Sequence, residues 1–460
     1  METPPATLSA KAPAGTTPAA PITGGLVDAA RWAERFAERP DLRQGPARLS
    51  GFRQNAIARL SETPFPTRRD EDWRYSDFTR LLNQPLSTAD ALAPEFARGD
   101  FEIPDLDAYV LVTVDGAYRP EVSDEVPGVT VGTVEALLEE EPHAFWLDRT
   151  VAELHGEAAN AFVALNAAFA KTSLFVHVPR NHRVGKPLHV VHLATRTRQR
   201  RMVCSQVFLV ASGGAEVTVD ETFGVLGHGE PIFRNHLVRG AAASNARIKW
   251  RTIQNEALTD AFLSNMSFDQ QGASLVDTVR VDLGGEQVRN NLDVIHKAPG
   301  LETHMAGAYF ARGRQRIDNQ TFLDHAFPHG ESNELYKGIV MERGVTSFNG
   351  KVIVRPDAQK TNAFQQNDNL VIGQRAEANA KPQLEIFADD VKCSHGATIG
   401  QLDEAPLFYL QARGIPRGQA LAMLHRGFLL EVLERVDSGA VRDHVERLLQ
   451  EKFDAAAAAE

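Results

Sequence analysis

Cysteine is nearly absent: Cys204 and Cys393 are the only two in 460 residues. Two thiols cannot staple a chain of this length, so a disulfide scaffold is excluded and a reducing compartment is expected. Long apolar runs are missing too. No stretch approaches the ~20 residues of a membrane span. Residues 1–25, rich in Pro, Ala, Thr and Gly, lack the basic start and apolar centre of a signal peptide. They read as a disordered tail, and the chain as cytoplasmic with no membrane contact. Basic charge is also short, with 49 Lys and Arg against 60 Asp and Glu and a formal net charge of −11. That balance argues against a phosphate-backbone binder, so nucleic acid is not an expected partner. The one basic cluster, Arg196 to Arg201, lies between two apolar runs and is expected to be a solvated hairpin tip.

Catalytic signatures are lacking as well. GVTSFNGKV from Gly344 has five residues between its glycines where a phosphate loop has four, and Val352 stands where the loop needs Ser or Thr for magnesium. There is no H-E-x-x-H, no G-x-S-x-G and no G-x-G-x-x-G. If ATP is used, a partner must bring it.

What is present is globular composition, 43% hydrophobic and 24% charged, enough for a sizeable core in two or three domains. From Leu26 the spacing is helical, with Trp32, Ala33 and Phe36 and then Phe52, Ile57 and Leu60 as stripes, closed by Pro64 and Pro66. DEDWRYSDF, Asp70 to Phe78, sets Trp73, Tyr75 and Phe78 among acids and reads as a segment that docks this region on the body. YVLVTVDG ends in an Asp-Gly turn, and Thr133–Leu138 and Ala158–Ala170 read as helices.

After Lys171 the chain becomes one short β-branched or aromatic run after another, separated by Gly, Asn, Asp and Pro. No helical pattern intervenes, which excludes a doubly wound body. More than a dozen runs exceed a single sandwich, whereas a solenoid absorbs any number. Three helical stripes follow Gly400. Leu407, Tyr409 and Leu410 form the first, closed by Gly414 and Pro416; Leu421 to Val436 and Val441 to Leu449 form the others. Three short helices seldom bury every apolar face alone, so part of this surface is expected to meet another protein.

The histidines and carboxylates offer alternatives. His304, His325 and His329, with Glu331, read as turn residues that would bind metal only if consecutive turns stacked them. His177, His189 and His192 read as ordinary sheet positions, and Cys204 as a small buried hydrophobe. Asp277, Asp282, Asp293, Asp318 and Asp324 read as solvated surface. Their competing role is the groove of a β-helix polysaccharide lyase or hydrolase, a reading that the missing export signal and the helical tail count against.

The most informative stretch is PQLEIFADDVKCSHGATIGQLDEAPLFYLQARG, from Pro382 to Gly414. Period-2 alternation places Cys393 and His395 on one face of a strand, a thiolate and an imidazole suited to a thiophilic metal such as iron or zinc; on spacing alone the competing reading is a buried Cys beside a turn His, packed and inert. Two donors do not complete a site, so the remainder must come from elsewhere in the fold or from another chain.

DDVKCSHGATIGQLD with LFYLQARGI resembles the signature of the SufB/SufD family of iron-sulfur cluster assembly scaffolds. TFLDHAFPHGESNELYKGI, FNGKVIVRPDAQKTNAFQQNDNLVI and DEDWRYSDF extend the resemblance over most of the chain from about Asp70. With two cysteines, it resembles the SufD branch. Pro406, where a helix-favouring residue is expected, departs from the pattern at a place where proline costs little, the first helical turn.

The resemblance implies a right-handed parallel β-helix core over residues 171–395, between an N-terminal helical region with a few strands (26–170) and a C-terminal helical domain (396–460). It implies no catalytic activity of its own, a SufB-type paralogue paired through the last strands, and a SufC-type ABC ATPase docked on the C-terminal helices around Leu407, Phe408, Tyr409, Leu410, Arg413 and Phe428. His395, supported by Cys393, would hold iron or an iron-sulfur cluster transiently at the subunit junction. The participation of a flavin is left open by the residues, as is a homodimer of the isolated chain. A purely structural homodimer without metal is the third reading.

Overall fold

The structure is a computed structural model that describes residues 29–43, 47–137 and 160–457. The expected disordered tail, and the first residues of the helix expected from Ala158, lie outside the described residues.

From Leu174 to Gly400 the backbone is a parallel β-solenoid of about eight turns, each turn giving one strand to each of two facing sheets. Strands two apart in sequence are therefore neighbours, in register about 30 residues apart: Thr278, Met305, Glu334, Gln365 and His395 form one column. Corner chemistry explains how the chain turns. Asn181, Gly214, Asn245, Ala273, Gly300, His329 and Lys360 all have positive φ, and the N–H of each donates to a carbonyl of the following turn. Asn and Gly reach this conformation cheaply. His329 is thus a corner residue. The turns are filled by aliphatic and aromatic side chains such as Val190, Val219, Phe262, Val288 and Tyr309.

Several inward positions are polar. Glu221, Arg280, Asp282, Asn290, Asn319 and Glu334 are all buried. Asp282, expected as solvated surface, accepts from Arg280 and Asn290. Asp318 is also buried, accepting from Ser76, Arg289 and Ser347. Asp324 is held by Arg355. Asp293 lies on the outer face in a cavity of about 640 Å³ with Arg239, Arg289 and Lys297. Burial pushes the Asp293 carboxyl up to about 6. Asp282, Asp318 and Asp324 are each held by different structural partners, so these three do not form the paired groove of a polysaccharide-cleaving enzyme.

The two ends of the solenoid differ. At its start, Tyr109–Val114 extends one sheet in parallel and is capped by the antiparallel strand Ala117–Tyr118, while Thr130–Thr133 caps the other sheet antiparallel to Leu174–Val178. Gly116 in the linking turn is obligatory: a Cβ there would lie 2.0 Å from the Cys204 carbonyl oxygen. At the far end, Glu377–Ile386 and Lys392–Gly400 are the last strands of their sheets, and no described strand pairs with their outer edges. The last strand runs to Gly400, past the expected end of the β core.

The N-terminal helices cover the outer face of one sheet. Trp73 stacks on Phe162 (5.2 Å), and the Arg289 guanidinium lies 4.2 Å from the Trp73 ring centre. The aromatic segment from Asp70 therefore does fasten this region to the body. Helix Ala161–Phe169, N-capped by Asn160, is buried on all sides. Arg196 to Arg201, expected as a hairpin tip, instead joins strands of opposite sheets. Arg201 is buried against Asp115 and the Thr195 carbonyl, and Arg196 pairs with Asp260.

C-terminal helices Arg417–Leu433 and Gly439–Ala457 pack on the other sheet through Leu429, Val432, Val445, Leu449 and Phe453 against Ala306, Phe310 and Ile339. Arg251 to Asp437 (2.8 Å) and Arg435 to Asn333 (2.6 Å) pin them there. Glu404–Ala412 has no buried residue and leans on the 417–433 helix. Pro406 sits in its first turn, and Gly414 ends it with φ +85°.

Candidate functional site

The open end of the solenoid carries the two donors singled out by spacing. In Lys392–Gly400, Cys393 is level with Ala363 and His395 with Gln365 on the preceding strand of the sheet. Ala363 and Gln365 are buried inward-facing residues, so Cys393 and His395 face the interior of the solenoid at its last turn. With no further turn above them, Cys393 is half-buried against the end of the core and His395 is exposed. Burial raises the Cys393 thiol above its ordinary value, and the Ala363 backbone hydrogen bond opposes this in part. A metal ion would have to displace that proton.

Among the described residues, the one trio of His, Cys, Asp or Glu with ligand atoms within 4.8 Å of one another is His192, Glu221 and His236, deep in the early turns. Among the described residues, no third donor of these types joins Cys393 and His395 in such a group. The rim beside them is apolar and open: Phe387 is 60% exposed, Ile399 51%, Phe364 45% and Ile386 41%. Unpaired edge backbone with an apolar rim is a template for strand addition. Pro382, level with Gly350, lacks an N–H to donate along one of these edges.

The helical residues separate into two groups. Phe408 (73% exposed) and Tyr409 (57%) stand in solvent with Arg413 over the Tyr409 ring at 5.0 Å, and Leu407 and Leu410 are half-buried between helices. Phe428 differs. It is half-buried at the body, with the Lys337 ammonium 4.7 Å from its ring centre. Met423, 51% exposed, continues the open face and was not singled out by spacing.

The remaining histidines do not gather as the stacking alternative required. His325 packs edge-on against His296 (4.5 Å) and bonds Ser332, while His304 bonds Glu302. Cys204 is buried under the N-terminal helices. His192, read as an ordinary sheet position, instead meets Glu221 and His236, neither of which spacing had marked. Residue counts between strands could have placed them together only once the length of each turn was known.

Comparison with known proteins agrees with this architecture. Residues 193–428 match the family model described as SUF system FeS cluster assembly, SufBD core domain, and residues 37–190 match the SufBD protein N-terminal region. An iron-sulfur cluster assembly SufBD family protein of Synechocystis is 30% identical over 401 residues, covering 84% of this chain and 87% of the relative. The iron-sulfur cluster assembly protein SufD of Escherichia coli is 30% identical over 396 residues, covering 85% and 90%. SufD of Bacillus subtilis is 24% identical over 427 residues, covering 89% and 95%. No described helix is long and apolar enough to cross a membrane. The chain belongs to the SufBD family of SUF-system iron-sulfur cluster assembly proteins.

Proposed function

We propose that this chain is a scaffold subunit whose open solenoid end adds to the matching end of a SufB-type paralogue, with Cys393 and His395 contributing half of a site for iron at the junction. Iron, or the growing cluster, is cargo here. The observation that carries the reading is the uncapped pair of strands Glu377–Ile386 and Lys392–Gly400, with a thiol and an imidazole on the inward face of the second. The remaining ligands come from the paralogue, whose sulfur donors suit the same soft metal.

Phe408, Tyr409, Leu407, Leu410 and Arg413 form the surface that docks a SufC-type ATPase, with Phe428 holding the neighbouring helix to the body. ATP hydrolysis in that partner moves the C-terminal helices relative to the open end and thereby alters access to the junction. The chain itself is a scaffold and not an enzyme.

The test is complementation in cells that depend on this assembly route. His395→Ala in the full-length chain should abolish maturation of iron-sulfur proteins while leaving the complex assembled. Normal maturation with His395→Ala removes the metal role. Loss of the complex itself would assign His395 to assembly.

A further inference from the structure

Three side chains from three strands meet inside the early turns. His192 lies in Leu188–Thr195, Glu221 in Glu216–Leu226 of the same sheet, and His236 comes across from Ile232–Ala242 of the facing sheet. All three side chains are fully buried. Nε2 of His192 lies 3.0 Å from Glu221 Oε1, and Nε2 of His236 lies 2.8 Å from the same oxygen.

Each outward-facing atom of the trio already has a partner. His192 Nδ1 is 2.7 Å from the Thr113 hydroxyl, and His236 Nδ1 is 2.8 Å from the Ser205 hydroxyl. Glu221 Oε2 accepts from Trp250 Nε1–H (3.3 Å) and the Thr252 hydroxyl (3.1 Å). Phe223, stacked on His192 at 5.1 Å, and Phe262 wall the site. Outer partners that fix ring orientation and turn the inner nitrogens toward one carboxylate are the usual surroundings of ligated histidine.

The simpler account is a hydrogen-bonded triad in which both neutral imidazoles donate Nε2–H to Oε1. It fits His192, whose geometry is that of a hydrogen bond. It is weaker for His236, whose Nε2 reaches the same oxygen at 2.8 Å but off the line of a good hydrogen bond. An ion at the common focus would use both Nε2 lone pairs and the carboxylate together. Metal bonds of about 2.0–2.2 Å at tetrahedral angles separate donor atoms by roughly 3.3 Å. The two nitrogen–oxygen separations here, 3.0 and 2.8 Å, need to open by about 0.3–0.5 Å, and all three donor atoms already lie within 4.8 Å of one another.

We propose that His192, Glu221 and His236 bind one divalent transition-metal ion of the zinc or ferrous type, at a site separate from the Cys393 and His395 edge. Two imidazoles and one carboxylate suit these borderline ions. Ligation through Nε2 selects the Nδ1–H tautomer of each ring, which donates to the Thr113 and Ser205 oxygens, so neutral imidazoles bind without releasing a proton. Because all three side chains are sealed, the ion enters as the chain folds and ties one sheet to the other in the early turns.

The test uses the full-length chain carrying Cys393→Ser and His395→Ala, which removes the edge donors. The protein is expressed in medium supplemented with Zn²⁺, and separately with Co²⁺, then dialysed against a chelator and analysed for metal. About one ion per chain is expected, the cobalt form showing visible ligand-field bands and the zinc form an X-ray absorption spectrum with imidazole scattering and no sulfur. Adding Glu221→Gln or His236→Gln should lower retained metal at least tenfold. Less than about a tenth of an equivalent in the parent, or equal metal in the parent and both triad variants, overturns the site. Should the triad variants fail to fold, the parent's absorption spectrum decides: sulfur ligation, or the absence of imidazole, overturns the proposal as well.

Discussion

Gln365 and His395 occupy the same position on adjacent parallel strands, and only the first is covered: Gln365 is 3% exposed, whereas His395 opens to solvent. The difference arises because another turn lies beyond Gln365 and none lies beyond His395. Gln365 also donates to the buried Glu334 at 2.6 Å. His395→Ala should therefore leave stability within about 0.5 kcal/mol of wild type. Gln365→Ala, which strips a donor from a buried carboxyl, should cost about 1–3 kcal/mol. Paired denaturant titrations of the two variants check this.

Glu334 gives a pH signature. Burial, opposed by hydrogen bonds from Thr321 and Gln365, pushes its carboxyl up to about 7 from an ordinary value of 4.5. Between those values the folded state holds a proton that the unfolded state has lost. The stabilisation is full below about pH 4.5 and is lost as pH rises through about 7. Measured as a difference between wild type and Glu334→Gln, which cancels other titrating groups, stability should fall across that window and level off above it. A flat difference would show Glu334 titrating normally.

Trp73 holds the N-terminal region to the solenoid by stacking on Phe162 beneath Arg289. Trp73→Ala should cost about 3–5 kcal/mol, because the space it leaves lies between two elements that cannot close independently. Limited proteolysis should then cleave the 29–82 region before the solenoid.

On the first C-terminal helix, Phe408 carries no load in the isolated chain. Phe408→Asp should leave thermal unfolding unchanged while reducing capture of the ATPase subunit at least tenfold in a pull-down. Unchanged capture would place the docking surface elsewhere.

Much of the fold was legible in the sequence, since strand-length runs broken by Asn and Gly at steady intervals permit little but a solenoid, and Asn245 and Gly300 do turn corners. The parity that put Cys393 and His395 on one face needed only the two-residue period. What alternation could not show was which polar residues point inward. Asp282, read as solvated surface, and Glu221 and Glu334, which no pattern marked, lie inside, where Asn290, Trp250 and Gln365 donate to them. Nor could it join His192 to His236. Their meeting depends on turn length and on two facing sheets, properties of the coil and not of any local stretch.

The central claim is that the uncapped end is completed by a second chain. Hydrogen exchange on Glu377–Ile386 and Lys392–Gly400, with and without the SufB-type paralogue, tests it most directly. The account predicts fast exchange at the outer edge amides of the isolated chain and at least tenfold slowing in the complex, with little change at Tyr109–Val114. Equal exchange at the edge in both states, or protection confined to the capped end, would contradict it.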